Sequence, residues 1–182
     1  MSDGDRQRWD ERYTARGAPD PEEVGPPQLL ASYAAEFPSA GTALDIACGQ
    51  GEVSVWLARR GLDVIGLDIS PVAIGNAREL AGRHSVADRC RFGVVDLDDG
   101  LPSGPAVDVV VCHRFFDRRL NRALARRLAP GGLLAIAALA DGRFGAGAGE
   151  LRAAFGDLEV IDEGTGQGVV WLLARSPGNA PG

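Results

Sequence analysis

Residues 43–51 read Ala-Leu-Asp-Ile-Ala-Cys-Gly-Gln-Gly, and the next two strand-like stretches, 64–68 and 92–96, each end in an aspartate. A turn carrying Gly49 and Gly51 lets a ligand approach the backbone, because no Cβ intervenes. A carboxylate offers two acceptor oxygens. Asp68 therefore suits the two hydroxyls of a ribose, and Asp96 can reach an adenine edge. Together they describe a pocket for an adenosine-containing cofactor. His113 lies just past a later strand end, where a group that titrates near neutrality can take a proton from a hydroxyl, thiol or amine. A histidine bonded only to neighbouring backbone fits the same position. Arg114 suits an acidic acceptor or a cofactor carboxylate, and equally a solvated arginine.

These residues need a scaffold that brings successive strand ends together. Asp5 to Arg16 is charged, with Trp9 and Tyr13 on one helical face. A Pro- and Gly-rich connector covers 17–27, and Gln28 to Phe37 resumes helical spacing up to Pro38. Strands are expected at 42–47, 63–68, 90–96, 106–112 and 133–139. Helices are expected at 52–60, from Ser70-Pro71 to about His84, and at 118–128, with Ser70 and Pro71 as N-cap and first-turn proline. Pro130-Gly131-Gly132 reads as a turn, 141–149 as a glycine-rich loop and 150–155 as a short helix. The last strands, 158–162 and 169–174, are joined by 163–168, too short for a parallel crossover, so they form an antiparallel hairpin. Ligands on such sheets bind beyond the carboxyl ends of the strands, where the strand order reverses. The glycine turn and both aspartates fall on that edge.

The bulk numbers bound the alternatives. A chain of 182 residues suits one domain with a substantial core. Its formal charge of −6 lacks the basic excess typical of nucleic-acid binders, so no nucleic-acid partner is expected. All 19 basic residues are arginine, which removes Schiff-base lysines and a Walker-type lysine. The 3 cysteines, Cys48, Cys90 and Cys112, form no C-x-x-C pair, so neither a disulfide framework nor a metal site is expected. Neither a signal peptide nor a membrane-length apolar run is visible, and a cytoplasmic chain is expected.

On these motifs the chain resembles the class I S-adenosylmethionine-dependent methyltransferases, small bacterial members akin to tellurite-resistance and thiopurine methyltransferases. Asp45-Ile46-Ala47-Cys48-Gly49-Gln50-Gly51 matches the family's first motif, with Ala47 where a glycine is common. Gly66-Leu67-Asp68-Ile69-Ser70 matches the second, Val95-Asp96-Leu97 the third, and Leu128-Ala129-Pro130-Gly131-Gly132-Leu133 the approach to strand five. The resemblance implies a doubly wound, Rossmann-like α/β fold with seven strands in the order 3-2-1-4-5-7-6, mostly parallel with the last antiparallel. It implies S-adenosylmethionine as cofactor and S-adenosylhomocysteine as product. Residues 1–38 would form an N-terminal helical lid, 39–175 the cofactor-binding domain and 176–182 a flexible tail. Asp45, Ala47, Gly49, Gly51, Asp68, Ile69, Asp96, Leu97 and the Cys112 carbonyl would line the cofactor. A nicotinamide dinucleotide is the runner-up, because 68 − 45 = 23 is near the spacing of about 20 for its acidic residue. Its third glycine would fall at position 54, which is Ser54.

The acceptor side carries less information. No Asn-Pro-Pro-Tyr follows strand four, only Cys112-His113-Arg114-Phe115-Phe116. His113 and Arg114 are the catalytic candidates. Trp9 and Tyr13 would cover the sulfonium by cation–π contact, and Arg12 would pair the cofactor carboxylate. Arg143-Phe144 is a further rim. A small-molecule acceptor is expected, with no nucleic-acid or membrane partner and a monomeric or homodimeric state. A silent cofactor-binding sensor or partner subunit is the alternative.

Overall fold

In the computed structural model, which describes residues 3–178, the alternating strands and helices build one seven-stranded sheet. Its strands are β1 (Gly41–Ile46), β2 (Leu62–Asp68), β3 (Cys90–Val94), β4 (Val107–His113), β5 (Leu128–Leu139), β6 (Glu159–Gly166) and β7 (Val169–Arg175). The helices are α1 (Asp3–Arg16), α2 (Glu52–Arg59), α3 (Pro71–Arg83), α4 (Asn121–Arg127) and α5 (Glu150–Ala154). The order is β3-β2-β1-β4-β5-β7-β6, with β7 antiparallel to both neighbours, as the family resemblance implies. Strand order reverses between β1 and β4, which pair in parallel.

Side-chain alternation explains why the sheet needs two covering layers. Leu44, Ile46, Val110, Cys112, Leu134 and Ile136 pack on one face, under α4 and α5 through Leu124 and Leu151. Ala43, Val109, Val111, Leu133 and Ala135 point the other way, under Val53 and Leu57 of α2. Strands buried on both faces must read as continuous apolar runs, and β4 does. The Ser70 hydroxyl accepts from the Ala73 N–H at 3.1 Å and Pro71 occupies the first turn, so α3 starts where the sequence places it.

Three segments depart from expectation. Gln28–Glu36 is 3-10 helix broken at Tyr33 (φ −101, ψ 15), not one continuous α-helix. Tertiary contacts rather than a helical ladder hold it: Leu30 and Phe37 are buried, and Tyr33 lies 5.7 Å from the Trp171 ring. Strand β5 begins at Leu128, five residues early, so Pro130-Gly131-Gly132 sits within a bulge where the β4 register jumps from Val107↔Leu128 to Val109↔Leu133. The expected 163–168 connector is mostly strand. Only Gln167 (φ 53) and Gly168 (φ 72) turn, and positive φ at both central residues suits a two-residue hairpin of type I′. Polar, glycine-rich composition hid that edge strand. Beyond β7, Ser176 exchanges backbone bonds with Gly131 and Gly132 (3.1 and 2.8 Å), and residues 179–182 of the expected tail lie outside the described residues.

Candidate active site

The first motif folds as a turn because three residues take left-handed backbone: Ala47 (φ 54), Gly49 (φ 55) and Gly51 (φ 87). Ala47 tolerates this conformation at a cost of about 1–2 kcal/mol, which the surrounding turn must offset. The Cys48 N–H donates to the Leu67 carbonyl (3.0 Å), tying the turn to β2. Asp68 completes the brace: one carboxylate oxygen accepts from the Gly49 N–H (2.9 Å) and the other from the Ser70 N–H (2.9 Å). Burial raises the Asp68 pKa, opposed by those backbone donors. Each oxygen retains lone-pair capacity for a ligand hydroxyl.

A strap crosses above this turn. Helix α1 is fastened at several points: the Asp10 carboxylate accepts from the Ser70 hydroxyl, and Arg16 pairs with Glu52 (3.2 Å) and Glu23 (3.0 Å). The Gln50 side-chain N–H₂ donates to the Gly17 carbonyl at 2.6 Å. At the other end buried Asp5 pairs with Arg143 (2.9 Å), joining the strap to the loop after β5. Trp9 and Tyr13 share the lower face as expected, their rings 5.8 Å apart and nearly parallel, with Arg12 5.1 Å above Trp9. A Cβ on Gly49 would lie 3.0 Å from the Tyr13 hydroxyl, so the phenol rests on the glycine turn. Burial, then Asp68, pushes the Tyr13 pKa above its usual range.

A cleft of about 850 Å³ opens between strap and sheet. Of the residues expected to line it, Trp9, Arg12, Tyr13, Ala47, Gly49 and Asp68 do so, together with Ile69, Leu97, His113 and Arg114. Four are not on its lining. Asp45 is buried and accepts from the Ser54 hydroxyl at 2.6 Å, which is what position 54 is used for. Gly51 is a packing glycine: a Cβ there would meet that of Ala77 at 2.8 Å. Asp96 caps the turn at Leu97–Asp99, accepting from the Asp98 N–H (2.9 Å), and Cys112 is interior to β4. Sequence reasoning missed Arg16, Gln50, Glu52 and Phe115 on the wall. Gln50 and Glu52 border the glycine turn, where a helix N-terminus was the available signal; Arg16 carried none.

The far end of the cleft has a different lining. Burial, then the neighbouring Arg114 charge, lowers the His113 pKa to about 4, so the imidazole is neutral at ordinary pH. Arg114 has left-handed backbone (φ 62), and its N–H donates to the Ala137 carbonyl at 2.5 Å. Phe115 stacks on Phe144 with centroids 5.0 Å apart.

The cleft fits a group with a diol, an aromatic base and charged ends. Asp68 supplies acceptor oxygens, Leu97 and Ile69 an apolar wall, and the strap an aromatic lid. The Gln50 Oε1 atom is buried without a hydrogen-bond partner, an acceptor left over on the cleft wall. Among the described residues no cluster of three His, Cys, Asp or Glu side chains could hold a metal, and no described helix is long and apolar enough to cross a membrane.

Residues 43–132 match the model of a methyltransferase domain family. Ribosomal RNA small subunit methyltransferase C of Alcanivorax borkumensis is 36% identical over 108 residues, covering 54% of this chain and 32% of that protein. Ribosomal protein L11 methyltransferase of Vibrio cholerae is 33% identical over 103 residues, covering 55% of this chain and 34% of that protein. The chain thus spans about a third of the length of these curated relatives. Magnesium protoporphyrin IX methyltransferase of Synechocystis, solved with bound S-adenosylhomocysteine, shares the fold with a TM-score of 0.71 at 18% identity, covering 94% and 97% of the two chains. The expectation of an exclusively small-molecule acceptor without nucleic acid is corrected here, because relatives are named for ribosomal RNA and for a ribosomal protein. A formal charge of −6 is a sum over the whole chain and does not decide the acceptor, since Arg12 and Arg114 stand on the cleft wall.

Proposed function

We propose that this chain, matched over residues 43–132 by a methyltransferase domain family, is a class I S-adenosylmethionine-dependent methyltransferase that transfers a methyl group to an acceptor entering at the His113 end of the cleft. The observation that carries this reading is the buried Asp68 carboxylate, braced by the Gly49 and Ser70 N–H groups at the cleft floor beneath Tyr13. Asp68 would hold the ribose hydroxyls, Leu97 and Ile69 the adenine, and Trp9 and Tyr13 would cover the sulfonium. Asp96, one oxygen of which caps its own turn, would offer remaining lone-pair capacity to the adenine amino group.

S-adenosylmethionine supplies an electrophilic methyl on a sulfonium. In-line transfer draws much of its rate from proximity and alignment. The strap therefore contributes by excluding water and fixing the reacting pair, and His113 contributes by accepting a proton at its free ring nitrogen. A pKa near 4 makes His113 a weak base, suited to acceptors that already lose their proton easily. The test is calorimetry with S-adenosylmethionine and S-adenosylhomocysteine, followed by turnover on small molecules, RNA and protein acceptors. No heat at millimolar ligand sinks the proposal. The weak basicity of His113 also motivates a second reading, a cofactor-binding sensor or partner subunit without turnover. Formation of S-adenosylhomocysteine with any acceptor would rule that out.

A further inference from the structure

The charges along the cleft are unevenly spoken for. Three carboxylates line it, Glu23, Glu52 and Asp68. Glu23 and Glu52 are both engaged by Arg16, and Asp68 is held by backbone N–H groups. Arg12 and Arg114 line the same cleft, and neither forms an ion pair with a described residue. Arg12 rests on the Trp9 ring, and Arg114 is held out by left-handed backbone, a conformation that costs energy in a residue with a Cβ. The positive field is felt locally, since Arg114 helps drive the proton from His113.

The same end is aromatic. Phe115 stacks on Phe144, Arg143 covers Phe144 at 5.1 Å, and Trp9 packs against the same apolar cluster. Leu139, one of two exposed large apolar side chains among the described residues, forms part of the wall. Flat rings favour offset stacking on aromatic partners, and guanidinium groups bind carboxylate or phosphate oxygens in pairs.

Resting on the methyltransferase reading above, we infer that the acceptor is a planar aromatic group bearing an anionic substituent. Its ring lies against Trp9, Phe115 and Phe144, and its anion is met by Arg114, with Arg12 left to the cofactor carboxylate. Carboxylate and phosphate share this chemistry, so a small aromatic acid and a nucleotide are its two sources.

The test uses the full chain saturated with S-adenosylhomocysteine, which keeps nucleotides out of the cofactor half. Tryptophan fluorescence follows titration with phenol, 4-hydroxybenzoate and tyramine, and with guanosine and guanosine monophosphate. An anion should bind about tenfold or more tighter than its neutral counterpart, in one pair or both, and tyramine weakest. Preference in the 4-hydroxybenzoate pair identifies an aromatic acid, and in the guanosine pair a nucleotide. Arg114→Gln, its fold checked by thermal melting and by S-adenosylhomocysteine binding, should bring the ratio close to one. Equal binding of neutral and anionic partners, preference for tyramine, no binding of any probe, or a ratio unchanged in Arg114→Gln overturns the inference. Absence of S-adenosylhomocysteine binding instead overturns the methyltransferase reading.

Discussion

At the glycine end of the cleft the shape is made by backbone: left-handed Ala47, Gly49 and Gly51, with Asp68 bridging two N–H groups. At the His113 end it is made by side chains, with Phe115 on Phe144 and arginines at the rim. Backbone is common to every sequence that can adopt the turn, so the first end suits a constant ligand. Side chains change without disturbing the sheet, so the second end suits a ligand particular to this protein. One half of the cleft is thus conservative in construction and the other free to specialise.

Substitutions at the glycine end should unmake the fold or the cofactor site, and the largest effect belongs to Gly51. Gly51→Val adds a branched side chain at φ 87, with a Cβ 2.8 Å from that of Ala77. Left-handed strain and overpacking together should cost about 2–5 kcal/mol, read as a fall in denaturation midpoint. A stable Gly51→Val protein would break the contrast. Asp68→Ala leaves the Gly49 and Ser70 N–H groups without their acceptor, and S-adenosylhomocysteine affinity should fall by about 2–3 kcal/mol in calorimetry.

Behind the wall, burial raises Asp45 from 3.8 to about 7, with the Ser54 hydroxyl opposing. A pKa raised on folding gives stability that is full below the unfolded value and lost as pH rises through the folded one. The natural chain should therefore lose about 2 kcal/mol more than Asp45→Asn between pH 4 and 6. Urea titrations at the two pH values measure the difference, and parallel curves would show that Asp45 does not titrate there.

Changes at the far end should spare the fold and alter turnover. His113→Ala should slow methyl transfer by about tenfold, roughly 1.4 kcal/mol, with cofactor affinity unchanged. Because His113 is lowered to about 4, its basic form persists across neutral pH, and the rate limb should fall only as pH drops through about 4. A limb near 6.5 would mean an exposed imidazole and would blur the two halves.

The sequence carried most of the first half and little of the second. The strand order came with the family resemblance, whereas β4 was legible as a covered parallel strand from its apolar run, and a reversed last strand followed from a connection too short to cross over. The motif residues were legible as a set but not as individual roles. Nothing in the spacing says that Asp45 serves Ser54, that Gly51 serves Ala77, or that Asp96 caps its own turn. The early start of β5 and the length of β6 were missed because glycine and proline signal turns locally, while pairing with a neighbour overrides them.

The glycine turn, the strand-end acids and the alternation of strand and helix are local properties, and periodicity and backbone conformational preference write them into the chain itself. Which carboxylate faces the cleft, which arginine is already paired and which is left over depend on residues far apart in sequence. Arg143 on Asp5 and Arg16 on Glu52 are such contacts, formed only when α1 crosses the sheet edge. Coulombic and desolvation energies act through space rather than along the chain, so the electrostatics of the site exist only in the folded molecule.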